Sequence, residues 1–319
     1  MTEQARVLVT TPLPSGSETA LLRAGHEIVC AGGCTHADLI RLARDADAVV
    51  CTLTDHIDEQ VLEAGSGRLQ VVANIAVGYN NIDLGTASRL GIIVCNTPRV
   101  LDKATADTAF LLLLAAARRA SEAEQDLRNG RWKGWRLTDY LGQEFADRTL
   151  GLVGYGRIGT AMARRAAGFG LVVRHHTRRD TGQPGWTGDL DEMVGEADFV
   201  SLHLPLTPET HHLFDEARFR RMKRSAVFVN TARGAIVDER ALAEALHSGT
   251  IFAAGLDVYE HEPRIDPLLL TAPRTVLLPH IGSAAEQTRR RMAELACQAA
   301  ADVLAGRRPA NVVNGSPAI

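Results

Sequence analysis

The stretch Leu150-Gly151-Leu152-Val153-Gly154-Tyr155-Gly156-Arg157-Ile158-Gly159 sets the architecture of this chain, because an apolar run passes directly into G-x-G-x-x-G and then into a helical pattern. Gly154 permits a tight turn out of a strand, Gly156 lets backbone N–H groups approach a pyrophosphate, and Gly159 lets the following helix pack closely on the sheet. The surroundings match: Thr149 to Val153 read as a buried strand, Ile158 to Phe169 as a helix and Leu171 to Val173 as the next strand. The motif requires that βαβ unit, and it places phosphates at a helix N-terminus, where unpaired N–H groups favour negative charge.

The residues after the second strand bear on which dinucleotide is bound. Units that bind NAD carry Asp or Glu about 20 residues beyond the glycines, to accept the ribose 2′-OH, whereas an arginine there suits a 2′-phosphate. Here the chain reads Arg174-His175-His176-Thr177-Arg178-Arg179-Asp180. Thr177, Arg178 and Arg179 at the strand end favour NADP(H), through charge-assisted contacts. A solvated basic turn is the competing reading, with Asp180 as the carboxylate that keeps NAD(H) possible. His175 and His176 are expected to line the adenine side or face solvent. Nothing spaced like a third metal ligand accompanies them, so no metal is expected.

The 319 residues are 45% hydrophobic and 23% charged, enough for about two domains. A net charge of −3 leaves no electrostatic footprint for nucleic acid or an anionic membrane. Met1 to Thr10 run almost directly into a strand, without a signal sequence, and the longest apolar stretch, Ala109 to Ala117, is too short to span a bilayer. The five cysteines, Cys30, Cys34, Cys51, Cys95 and Cys297, have no C-x-x-C spacing and are expected as small buried residues in a reducing, cytoplasmic setting.

Strands and helices alternate twice. Val7–Thr10, Glu27–Cys30, Ala48–Cys51, Gln70–Asn74 and Ile92–Cys95 read as strands between helical stretches such as 35–44 and 57–64. One long helix is expected from Leu101 to Asn129. The second series of strands is Leu150–Val153, Leu171–Val173, Phe199–Leu204, Ala226–Asn230, Ala253–Asp257 and Val276–Leu278, followed by a helix from Ser283 and an extended return at Pro309–Val313. The pattern predicts α/β architecture with two doubly wound parallel sheets, the glycine motif in the later one.

Five motifs in order carry a resemblance across essentially the whole chain. They are Val72-Ala73-Asn74-Ile75-Ala76-Val77-Gly78-Tyr79-Asn80-Asn81-Ile82-Asp83, then Gly154 to Gly159, Val229-Asn230-Thr231-Ala232-Arg233-Gly234, Gly255-Leu256-Asp257-Val258-Tyr259-Glu260-His261-Glu262-Pro263 and Pro279-His280-Ile281-Gly282-Ser283-Ala284. The chain resembles the D-isomer-specific 2-hydroxyacid dehydrogenases, and among them the glyoxylate/hydroxypyruvate reductases. That resemblance implies a Rossmann NAD(P)-binding domain at residues 99–285, inserted in a discontinuous flavodoxin-like substrate domain of residues 1–98 and 286–319, with the reaction in a cleft between them.

It also implies roles, which the chemistry supports. Reducing a 2-oxo acid needs a hydride, a proton for the carbonyl oxygen and a cation for the carboxylate. Arg233 would clamp the carboxylate and polarise the carbonyl with a permanently charged fork. His280 would donate the proton, and Glu262 would hold its ring and stabilise the protonated form. The simpler alternatives are a surface-loop arginine, a core histidine and a helix-end charge before Pro263. Beyond the glycines, the resemblance assigns cofactor contacts to Thr105, Arg157, Ile158, Thr231, Ala232, Asp257, His280 and Gly282, and substrate contacts to Leu53, Val77, Gly78 and Ser283, ordinary packing being the other reading of Leu53. Trp132 and Trp135 fall where relatives pack as homodimers, a buried anchor being the other reading.

Phosphoglycerate dehydrogenases carry a phosphate-seeking arginine where this chain has Asn74-Ile75-Ala76, and a regulatory extension where it stops at Ile319. The expected activity is therefore NADPH-dependent reduction of small 2-oxo acids, glyoxylate to glycolate and hydroxypyruvate to D-glycerate. An NAD-linked enzyme for another acid such as D-lactate is the alternative. A nucleotide-sensing corepressor is a remote one, since those relatives carry long segments absent here.

Overall fold

Short runs of Val, Ile, Leu and Ala between capped helices form the strands in the computed structural model, which describes residues 4–315. The first series comprises β1 (Arg6–Val9), α1 (Thr19–Arg23), β2 (Glu27–Cys30), α2 (His36–Ala43), β3 (Ala48–Cys51), α3 (Glu59–Ala64), β4 (Val71–Asn74), α4 (Leu84–Arg89) and β5 (Ile93–Cys95). The second comprises α5 (Asp102–Ala117), α6 (Ala120–Arg128), β6 (Thr149–Val153), α7 (Arg157–Ala167), β7 (Val172–His176), β8 (Trp186–Thr187), α8 (Leu190–Glu196), β9 (Phe199–Leu202), α9 (Glu216–Arg221), β10 (Val227–Asn230), α10 (Glu239–His247), β11 (Ala253–Leu256), α11 (Pro267–Leu270) and β12 (Thr275–Leu277), before the last helix, α12 (Glu286–Leu304). Packing divides the chain into two compact units, Met1–Leu101 with Ala284–Ile319, and Asp102–Ser283.

In the first unit five parallel strands lie in the order β2-β1-β3-β4-β5, the flavodoxin-like winding. Alternate residues serve opposite faces. Val7, Val50 and Ala73 pack on Ala296, Cys297 and Ala300 of α12, while Leu8, Val49 and Val72 pack on Leu39, Ile57 and Leu62. Strands covered on both faces read as continuous apolar runs, and β3 and β4 are buried throughout. The extended return bridges antiparallel to this sheet, Val312 opposite Cys95, with the Val313 N–H donating to the Val94 carbonyl at 2.8 Å.

The second unit holds seven parallel strands in the order β12-β11-β10-β9-β6-β7-β8. Counted from β6, this is the Rossmann order 3-2-1-4-5-6 with one more edge strand, and the winding reverses between β6 and β9. Ligands of open α/β sheets sit beyond the strand ends at that reversal, which is where Gly154 lies. Helix α5 covers one face so closely that a Cβ on Gly255 of β11 would stand 2.8 Å from Leu112 Cβ.

Several expectations need correction. The helix expected over 101–129 breaks after Ala117: Arg119 is left-handed (φ 53°), and the Ala117 carbonyl accepts the Gln143 N–H at 2.9 Å instead of continuing the helix. Strand β7 runs three residues beyond Val173, because Gly151, Leu152 and Val153 pair with Arg174, His175 and His176 and the short strand β8 pairs with the latter two. His175 accordingly does not face solvent. It is fully buried, stacks on Tyr155 with ring centroids 3.8 Å apart, and its Nε2 lies 2.8 Å from Thr181 Oγ1. Cys51, Cys95 and Cys297 are buried, and burial pushes the last two thiols up to about 12, but Cys30 is exposed and Cys34 half-buried. No helix among the described residues is long and apolar enough to cross a membrane.

Candidate active site

Glycine placement shapes the mouth of β6. Gly154 has φ +94°, and a Cβ there would stand 2.3 Å from the His203 carbonyl oxygen; one on Gly159 would stand 2.4 Å from the Gly154 oxygen. Gly156 differs, since a Cβ on it would meet nothing within 4 Å. It is the N-cap of α7, with no side-chain cap and no acid in the first turn, whereas Asp caps α3, α4, α8, α9 and α10 through a side-chain oxygen. Free amides, the dipole and open space fit a pyrophosphate. Ile158 follows in the first turn, and Arg157 is paired with Asp102 at 3.0 Å.

At the end of β7, the Thr177 hydroxyl donates to the Arg179 carbonyl at 2.6 Å and so sets the turn. Among the described residues neither Arg178 nor Arg179 has an ion-pair partner, although Arg178 acts at longer range to hold the Glu209 carboxyl below its usual value, after the Thr207 hydroxyl and Glu209's own backbone. Asp180 is occupied in its own turn, accepting the Gly182 N–H at 2.8 Å.

Beyond β10, Asn230 staples the next turn: its Oδ1 accepts the Ala232 N–H and its Nδ2 donates to the Arg233 carbonyl, both at 2.9 Å. Arg233 is thereby presented from a half-buried turn. Burial works against its charge and the nearby Glu262 supports it, leaving its pKa below the ordinary arginine value; a guanidinium stays charged regardless. Gly234 lies directly against the next strand's exit, a Cβ there falling 1.9 Å from the Tyr259 carbonyl.

Beyond β11, Asp257 is 1% exposed and its two oxygens accept the Ile281 and Gly282 N–H groups, each at 2.7 Å. Burial raises its pKa against those two bonds. This clamp holds His280 in a left-handed conformation (φ 53°), a strain that non-glycine residues sustain only where neighbours impose it. His280 Nδ1 lies 2.8 Å from Glu262 Oε2, and Glu262 Oε1 accepts the Tyr259 N–H at 3.0 Å. Burial would lift the Glu262 carboxyl, but His280, the Tyr259 amide and Arg233 together hold it below its usual value.

The structure thus gathers Arg233, Asp257, Glu262, His280 and Gly282 at the carboxyl ends of adjacent strands. Thr105 of α5 stands beside them, its Cγ2 3.5 Å from where a Gly282 Cβ would be, and Ser283 follows Gly282. Thr231, next to Ala232, keeps a buried hydroxyl that has no partner among the described residues, which suits a polar cofactor group. In the first unit, Leu53 is half-buried after β3. The loop after β4 is pinned by its carbonyls, Val77's accepting from Asn96 and Gly78's from Asn74. Among the described residues the Val77 and Gly78 N–H groups make no hydrogen bond, an arrangement suited to a carboxylate. The sequence reading missed the staple at Asn230 and the clamp by Asp257; an Asn or Asp as the last polar residue of an apolar strand was the available signal.

A Rossmann sheet with an uncapped glycine turn at its reversal, and an arginine, an acid and a histidine at the neighbouring strand ends, defines a dinucleotide-dependent oxidoreductase. Residues 110–282 match the family model described as D-isomer specific 2-hydroxyacid dehydrogenase, NAD binding domain. A glyoxylate reductase of Korarchaeum cryptofilum is 48% identical over 283 residues, covering 86% of this chain and 85% of that protein. The crystal structure of a Thermus thermophilus protein superposes with a TM-score of 0.92 at 45% identity, covering 97% of this chain and 99% of that one. An NADPH-dependent glyoxylate/hydroxypyruvate reductase from Sinorhizobium meliloti, solved with NADP and malonate, gives 0.86 at 33% identity, covering 99% and 98%. The chain belongs to the D-isomer-specific 2-hydroxyacid dehydrogenase family.

Proposed function

We propose that this enzyme is an NADPH-preferring reductase of small 2-oxo acids, taking glyoxylate to glycolate and hydroxypyruvate to D-glycerate. The observation that carries the proposal is the 2.8 Å pair of His280 and Glu262 beside Arg233. The nicotinamide, when bound, supplies the hydride. Arg233 holds the substrate carboxylate and draws charge onto the carbonyl oxygen. His280 gives that oxygen its proton, and the Glu262 carboxylate stabilises the imidazolium beforehand and takes no proton itself. Unpaired Arg178 and Arg179 favour the 2′-phosphate of NADP(H), and the uncharged segment Asn74-Ile75-Ala76 favours a side group without a phosphate. Leu127, Trp132, Trp135, Leu137 and Leu141 are exposed, Trp135 by 80%, and these apolar side chains, set among charged ones, favour a homodimer, which sedimentation measurements would test.

Initial rates with NADPH and NADH, each against glyoxylate, hydroxypyruvate and pyruvate, test the reading. NADPH with either of the first two acids should give the highest kcat/KM. A clear preference for NADH with pyruvate would refute it in favour of a D-lactate enzyme.

A further inference from the structure

We propose that Glu239 is a positioning residue for the proton-donor pair, its single buried carboxylate tying down both ends of the loop that carries Glu262. The inference rests on the reading of His280 and Glu262 as that pair. Glu239 is the first residue of α10 and is 8% exposed. Its Oε2 accepts the Glu260 N–H at 2.9 Å and its Oε1 accepts the Asp266 N–H at 2.5 Å. These amides are the first and last of the segment 260–266, so one side chain closes the loop. Glu262 stands inside it, reaching back to the Tyr259 N–H and outward to His280 Nδ1.

The residue type follows from the geometry. Two converging N–H groups need two acceptors, and a buried carboxylate needs hydrogen bonds for both oxygens, so each side satisfies the other. A glutamine would accept at one end and turn an NH2 toward a donor at the other. An aspartate, one methylene shorter, would reach one end only. Further ties support the same loop: His212 Nε2 to Glu260 Oε1 at 2.7 Å, a bridge between His261 and Arg264, and the Asp266 side chain capping α11. The charged groups around the pair are Arg233 after β10, Asp257 after β11 and Glu239 behind the loop, with Arg240 3.7 Å from Asp266. Loosening the loop lets Glu262 drift from His280, and the imidazolium loses its closest anion.

The test compares the wild type, Glu239→Gln, Glu262→Gln and the double variant. It follows the pH dependence of kcat/KM for 2-oxo acid reduction, the NADPH dissociation constant, and the His280 imidazole titration by NMR in enzyme without substrate. Glu239→Gln should move the basic limb and the imidazole titration to lower pH, in the direction of Glu262→Gln and by less. It should lower kcat about tenfold and leave NADPH binding unchanged. The double variant should be no worse than Glu262→Gln, because Glu239 acts through Glu262. If Glu239→Gln folds poorly, Glu239→Asp should show the same shift on a smaller scale. A Glu239→Gln enzyme that loses stability yet keeps the wild-type limb, or losses that add in the double variant, would overturn the inference while leaving the pair intact. An unmoved limb in Glu262→Gln would overturn the pair and the positioning role with it.

Discussion

Gly234→Ala puts the coupling between Arg233 and the Glu262 loop to a quantitative test. Ordinary Cβ contacts fall at 3.4–4 Å, whereas the added carbon would lie 1.9 Å from both the C and O atoms of Tyr259 and 2.4 Å from Glu260 N. All three are backbone atoms of a strand exit that cannot swing aside like a flexible side chain. The turn and the exit must therefore separate by about 1.5 Å, the difference between 3.4 and 1.9 Å. Overpacking of this kind costs on the order of 1–3 kcal/mol or more, which at about 2–4 °C per kcal/mol lowers the melting temperature by several degrees. Catalysis should fall further, because misplacement by about 1 Å costs about a hundredfold and Arg233 and Glu262 stand on opposite sides of the contact. The assay is kcat/KM for glyoxylate with NADPH, beside thermal unfolding and an NADPH fluorescence titration. A Gly234→Ala enzyme that keeps its melting temperature and stays within about threefold of wild-type kcat/KM would refute the view that this close approach sets the site.

Gly156→Ala should behave in the opposite way: the methyl group meets nothing within 4 Å, so stability should change by less than about 1 kcal/mol, while NADPH binding weakens about tenfold or more; calorimetric titration showing unchanged affinity would remove the phosphate role from this turn. Arg178→Ala should weaken NADPH use by about tenfold or more, the loss of a charged hydrogen bond of about 1.5–3 kcal/mol, and leave NADH use nearly unchanged. Equal losses with both cofactors would exclude a 2′-phosphate contact. The Glu262 carboxyl is held below its usual 4.5 in the folded protein, so its contribution is fully present above that value and is lost as pH falls through the lower folded value. The stability advantage of wild type over Glu262→Gln in urea unfolding should accordingly shrink below pH 4.5, and an advantage that persisted to about pH 3 would contradict it.

Features that are local, or that repeat along the chain, were legible in the residues alone. Short apolar runs alternating with helical stretches specified parallel sheets, because parallel strands need crossover connections whose helices cover both faces, and Gly154 and Gly159 marked the turn after β6 because a Cβ at either would strike backbone. Arg233, Glu262 and His280 were legible as motif positions, but their meeting was not: they follow three different strands, and only the order β12-β11-β10 sets those ends side by side. The break at Arg119 was hidden because its cause, the Gln143 N–H, lies 26 residues away from the Ala117 carbonyl that it engages. His175 was expected to line the adenine side or face solvent, and the second of these failed because pairing with β8 and stacking on Tyr155 bury its ring. The strained backbone of His280 and the buried charge of Glu239 are the clearest cases, since by propensity alone each would be unfavourable. Each is held by hydrogen bonds from another segment, Asp257 to the Ile281 and Gly282 amides and Glu239 to the Glu260 and Asp266 amides, and such bonds exist only once the strands have assembled.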